Sequence, residues 1–159
     1  MTRIRIMGIG SPLGDDQIGW RVIDALRHSE QLQRLSSGTS CEISLLTLDR
    51  PGPQLIQHLQ DADIAILVDA IKSHHTPGAI HRIDNIERIE NDMRVSSHGL
   101  GVASALSLAR ALDALPATLV LYAIEIDGNH RDASTSKAAG AAVPILATNI
   151  AAELAARLA

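Results

Sequence analysis

Isoleucine and arginine alternate from residue 3 in RIRIMGI, and Gly8, Gly10 and Pro12 punctuate the end of the run, which predicts a first strand over residues 3–9. The spacing then changes. Ile18, Val22, Ile23, Ala25 and Leu26 recur at helical intervals over residues 17–28, with Asp15 and Asp16 at the amino-terminal end, where the helix dipole favours carboxylates. A polar, serine-bearing stretch over 29–40 reads as a linker, residues 42–48 as a second strand, DRPGP at 49–53 as a turn and 54–59 as a short helix. Residues 63–71, DIAILVDAI, are apolar throughout their middle except for Asp69, the mark of a strand buried on both faces in a parallel sheet. A turn, SHHTPG, leads to an edge-like strand over 79–83 and a charged segment, IDNIERIENDMR, to which no element is assigned. Ser96 and Ser97 stand where a cap belongs, ahead of a helical stretch from about 100 to 112. ATLVLYAIEI at 117–126 predicts another strand, and 138–158 a long alanine-rich helix interrupted near Pro144.

This order of elements predicts an α/β fold in three layers: a mainly parallel, twisted sheet of about five strands with helices on both faces, forming a single domain over 1–159. Composition agrees, because the core available is aliphatic, with one Trp, one Tyr and no Phe. The net charge of −4 and the lack of any basic run longer than two residues argue against nucleic acid as a partner. Cys41 is the single cysteine, so an internal disulfide or a four-cysteine metal site is excluded. The start, MTRIRIMGIG, lacks the apolar stretch of a signal peptide, and no run of about 18 apolar residues is available to span a bilayer. A cytoplasmic protein without a membrane partner, and a monomer, is the expectation.

In open α/β sheets, ligands bind beyond the carboxyl ends of the strands, where loops from several strands converge. That rule selects Asp15 and Asp16 after the first strand, Asp69 at the end of the third, and His98 in the loop before a helix. Asp69 is the most informative of them. A carboxylate closing an apolar run must reach a cation, backbone donors or solvent, since burying its charge alone is expensive. It could instead cap the following turn through the amides of Lys72 or Ser73. One of Asp15 and Asp16 suffices to cap the first helix, which leaves the other available. Two carboxylates and an imidazole suit nickel, zinc or copper. His28, His58, His74, His75, His81 and His130 read as surface residues, and only His74 and His75, near Asp69, rival His98.

Several other chemistries fail on spacing. Gly8 and Gly10 lack the third glycine of a dinucleotide site, where Leu13 stands instead, with Gly14 one residue late. There is no Gly-Lys-Ser/Thr phosphate loop, no Gly-x-Ser-x-Gly elbow, and no Asp-Thr-Gly or Asp-Ser-Gly of the pepsin type.

Taken together, GIGSPLGDDQIGWRVIDAL, ILVDAIKS and SSHGLGVASALSLA resemble the nickel–iron hydrogenase maturation proteases in order and spacing across about the first 110 residues. The resemblance implies a peptidase that removes a short C-terminal peptide from the immature hydrogenase large subunit, its partner, after nickel insertion. It carries the family's metal-contacting acids onto Asp16 and Asp69 and its histidine onto His98. Nickel would arrive with the substrate, and zinc or cadmium could take the same position. Asp16 stands where the family often has Glu, Ser11 where Asn is common, and DRPG at 49–52 replaces a glycine-rich turn. A non-catalytic nickel-binding assembly factor of the same fold is the alternative.

Overall fold

The computed structural model describes residues 1–159 except 39, 96–98 and 131. Its centre is a five-stranded sheet of β1 (Thr2–Gly10), β2 (Cys41–Asp49), β3 (Ile64–Ile71), β4 (Ile80–Ile83) and β5 (Thr118–Glu125), in the order β2-β1-β3-β5-β4. All neighbours run parallel except β4, which pairs antiparallel with β5. Six helices are formed among the described residues: α1 (Ile18–Arg27), α2 (Glu30–Gly38), α3 (Leu55–Gln60), α4 (Ile86–Val95), α5 (Leu100–Ala111) and α6 (Lys137–Leu158).

Strand alternation divides the core in two. Ile4, Ile6, Ile66, Val68, Val120, Tyr122 and Ile124 pack under α1, α2 and α6 on one face. Met7, Ile9, Ala65, Leu67 and Leu121 pack under α3, α4 and α5 on the other. The three-layer α/β expectation is met, with β3 buried on both faces as its continuous apolar run requires.

Two stretches differ from the sequence reading. The segment read as a serine-bearing linker contains α2, held by buried Leu32. The unassigned charged segment contains α4, whose Ile89 and Met93 are buried. In both, a single narrow stripe faces the core and the rest of the helix is polar. The interruption expected near Pro144 does not occur. Pro144 lies inside a continuous helix on an exposed face, so the hydrogen bond it cannot donate is lost on the solvent side. By length and composition α6 is apolar enough to cross a membrane, contrary to the expectation that no such run exists. Its Ala142, Leu146, Ile150 and Leu154 are instead buried against the sheet, as in a core helix.

Glu153 of α6 is tied across to the sheet. Its oxygens accept from Arg82 Nη2 at 2.7 Å and Nε at 3.0 Å, from Arg157 Nε at 3.0 Å and from the Tyr122 hydroxyl. The Arg82 bonds outweigh the opposing effect of burial, and with Tyr122 and Arg157 they hold the Glu153 carboxyl down to about 2. Burial first, and then the Glu153 carboxylate, push the Tyr122 hydroxyl up to about 12. A carboxyl depressed on folding contributes stability that is present above its unfolded value and is lost as pH falls through its folded one. Glu153→Gln is therefore expected to cost about 1–2 kcal/mol at neutral pH and to flatten the acid limb between about pH 4.5 and 2, measured by urea unfolding at several pH values.

Candidate functional site

Chain connections leave β1 toward β2 on one side and reach β3 on the other, so the order of the sheet reverses between β1 and β3. At such a switch point the flanking loops part to opposite faces and leave a crevice beyond the strand ends. Asp69 lies on β3 at this position. Gly8 pairs with Val68, and continuing that register one residue brings Ile9 level with Asp69. Leu67 lies in the core under α3, α4 and α5, so by alternation the Asp69 side chain is on that face too, only 2% exposed. Its Oδ1 accepts the amide of Ala70 at 2.8 Å. Of the two turn amides that Asp69 could have capped, that of Ser73 donates instead to Glu125 Oε1 at 2.7 Å.

Asp16 is placed by backbone contact over the end of β1. Residues Gly14–Gln17 form a 3₁₀ turn, and the Asp16 carbonyl accepts the Ser11 amide at 3.0 Å. A Cβ at Gly10 would sit 2.2 Å from that carbonyl, so only glycine lets the turn fold back this closely. The same demand recurs where α1 crosses the sheet. A Cβ at Gly8 would meet the Gly19 carbonyl at 2.4 Å, and one at Gly19 would meet the carbonyls of Ile9 and Val68 at 2.4 and 2.6 Å. The glycines that fail as a nucleotide fingerprint thus seat α1 directly on β1 and β3.

The adjacent acid has a different task. Asp15 does not cap α1, whose preceding residue Gln17 makes no side-chain cap bond. Its Oδ1 and Oδ2 instead accept the amide and hydroxyl of Ser136 at 2.6 and 2.7 Å, and Ser136 in turn caps α6 through the Ala139 amide. Gly14 N and Gln17 Nε2 both donate to the Ala133 carbonyl, at 3.0 and 2.8 Å. The acidic pair divides its work: Asp15 fastens the loop to the α6 amino terminus, and Asp16 stays at the β1–β3 edge.

The turn after β2 completes this edge. Arg50 has φ 43° and donates its amide to the Gly10 carbonyl at 3.0 Å. Its guanidinium bonds Asp49 Oδ1 at 2.7 Å, and the charges of Asp49 and Asp16 together raise its affinity for the proton. The arginine of DRPG therefore brings a cation into electrostatic reach of Asp16. A Cβ at Gly101 would meet the Pro51 carbonyl at 2.8 Å, so α5 begins against this same turn. His98, Ser96 and Ser97 lie outside the described residues. The residue preceding α5 is Gly99, which makes no side-chain cap bond.

Beside this edge, beyond β3, lies a second polar group that the sequence reading does not include. Glu125 closes β5 and is fully buried. Besides Ser73 N, its oxygens accept from Ser73 Oγ at 2.8 Å and His75 N at 3.0 Å, and lie 3.2 Å from His81 Nε2. Burial acts to raise its proton affinity, but these bonds from Ser73, His75 and His81 overcome that and leave it below the ordinary carboxylate range. His81, read as a surface residue, is half-buried against it. The signal was available in YAIEI, where a glutamate closes an apolar strand just as Asp69 does.

Residues 27–153 match the hydrogenase maturation protease family. The hydrogenase expression/formation protein HupM of Azotobacter chroococcum is 31% identical over 125 residues, covering 77% of this chain and 56% of HupM. HoxM of Azotobacter vinelandii is likewise 31% identical over 125 residues, covering 77% and 57%. The chain thus spans little more than half the length of these curated relatives. Among solved structures, the hydrogenase maturating endopeptidase HybD of Escherichia coli superposes with a TM-score of 0.80 at 23% identity, covering 98% of this chain and 94% of HybD. The maturation protease HycI of Thermococcus kodakarensis gives a TM-score of 0.70 at 21% identity, covering 95% and 91%. At these identities the structural likeness carries the fold.

Proposed function

This chain belongs to the hydrogenase maturation protease family, and we propose that it is an endopeptidase that removes the C-terminal peptide of a nickel–iron hydrogenase large subunit after nickel insertion. Asp16, Asp69 and His98 are the residues we assign to the substrate's nickel. One observation carries the assignment: Asp69, 2% exposed, and Asp16, fixed through its carbonyl, belong to the two segments that flank the sheet's switch point.

In this reading nickel enters as part of the substrate. Two carboxylates and an imidazole are suitable donors for nickel, and equally for zinc or cadmium as substitutes. Three protein ligands leave coordination positions open, which the cysteines of the immature large subunit would fill. A large subunit without nickel offers no cation to Asp16 and Asp69, so maturation state is sensed electrostatically. Holding the cation also holds the adjoining peptide bond, which lowers the entropic cost of reaching the hydrolytic geometry. A cation beside that bond can polarise its carbonyl toward attack by water. The Ala70 amide orients the Asp69 carboxylate for this task. The reading places the protein in the cytoplasm with its partner.

Intact-mass measurement of the immature large subunit before and after incubation with this protein tests the reading. A peptidase shortens the subunit by one C-terminal peptide. An assembly factor of the same fold binds it and leaves its mass unchanged, and that outcome would refute the peptidase.

A further inference from the structure

Beside the β1–β3 edge, the loop after β3 and the strands β4 and β5 bring together His75, His81 and Glu125, with one ligand atom of each within 4.8 Å of the others. Ile83 of β4 and Leu121 of β5 lie in the core under α3, α4 and α5, so by alternation His81 and Glu125 share the sheet face of Asp69. The two imidazole rings meet edge to face, with centroids 5.1 Å apart and planes at 67°. Glu125 Oε2 is the common point, at 3.2 Å from His81 Nε2 and 2.8 Å from Ser73 Oγ, which itself lies 2.9 Å from His75 Nδ1. His74 takes φ 65°, in the left-handed region, and this bend directs the amides of both Ser73 and His75 into Glu125. The carboxylate is thereby held by backbone amides, while the rings of His75 and His81 are met by side-chain oxygens, those of Ser73 and Glu125.

We propose that His75, His81 and Glu125 form a binding site for a zinc-class divalent cation, separate from Asp16, Asp69 and His98. Two imidazoles and one carboxylate are a ligand set that zinc takes with a fourth position left open. Ligand bonds of about 2.0–2.2 Å put tetrahedral donors roughly 3.3–3.5 Å apart. The His81–Glu125 separation of 3.2 Å is already close to that spacing, and His75, exposed on its loop, can close the remainder by side-chain rotation. The ion would replace the proton shared by His81 Nε2 and Glu125 Oε2. It would also bind the loop after β3 to β4 and β5. Without an ion, the same residues form a hydrogen-bonded clasp, which is what the experiment must separate from a metal site.

The test uses the full chain stripped with a chelator and titrated with zinc chloride against a chromophoric competitor, with cobalt absorption as a second readout. Three variants are compared with the unchanged protein: His75→Ala, His81→Gln and the double variant Asp16→Asn/Asp69→Asn. The expected result is that zinc binds the unchanged protein and that a zinc is still bound by the double carboxylate variant, which lacks the acids of the other site. His75→Ala and His81→Gln are each expected to lose at least about 10-fold in affinity, with tetrahedral cobalt bands absent. His75 is exposed, so its replacement leaves the core intact. Failure of the unchanged protein to bind zinc would overturn the site, as would binding unaffected by either histidine substitution. Loss confined to the double carboxylate variant would assign the zinc to the other site instead.

Discussion

Asp69→Asn is expected to lower the rate of large-subunit processing by at least about 100-fold while leaving the melting temperature within a few degrees of the unchanged protein, and Asp16→Asn to do the same. The magnitude follows because substitution even of groups that only support a metal ligand commonly costs 10- to 100-fold. The amide is nearly isosteric with the carboxylate, and the Oδ1 that accepts the Ala70 amide is retained in Asp69→Asn. What is removed is the negative charge offered to the cation. Asp15→Asn serves as the contrast. Asp15 is engaged with Ser136, so its substitution is expected to loosen the α6 amino terminus and to lower stability more than turnover. Single-turnover assays on nickel-loaded large subunit, followed by gel shift, check all three. Full activity in both Asp16→Asn and Asp69→Asn would remove these residues from the reaction.

Gly19→Ala is expected to destabilise the fold by about 3 kcal/mol or more, although alanine is the better helix former by about 1 kcal/mol. The added methyl would lie 2.4 Å from the Ile9 carbonyl and 2.6 Å from that of Val68. Both oxygens belong to the backbone of central strands, which cannot rotate away as a flexible side chain can. Relief requires α1 to lift off β1 and β3, opening the packing of Ile18, Val22 and Ile23 beneath it. For a chain of this size, 3 kcal/mol corresponds to roughly 6–12 °C in melting temperature. Gly38→Ala is the control, since a Cβ there meets nothing within 4 Å, and its effect should stay within about 1 kcal/mol. Equal melting temperatures for the two variants would contradict the close-approach reading of Gly19.

The strands were legible because their burial is written in consecutive residues. IAILV is short, continuous and rich in branched side chains, which favours a strand covered on both sides, and Asp69 stands out against it. The helices α2 and α4 were less so, since each buries a narrow stripe and is polar elsewhere. In α4, Ile89 and Met93 recur at the helical interval among mostly charged and polar neighbours, and charge obscures the period. Pro144 misled for a related reason: its cost depends on which face of α6 it occupies, and that is set by packing. The two acids of the first loop could be told apart only in three dimensions, because the partner of Asp15 is Ser136, 121 residues away. Glu125 is a carboxylate at the end of an apolar run just as Asp69 is. A charged residue closing an apolar strand needs a partner in either case, and here the partners come from Ser73, His75 and His81.

The role proposed for the edge between β1 and β3 depends on a cation that arrives with the substrate. The most direct measurement is the initial rate of C-terminal shortening for nickel-loaded and nickel-free large subunit presented side by side to the unchanged protein. Shortening of the loaded form alone, restored in the other when nickel is inserted, is the predicted result. Equal rates on both forms would contradict it.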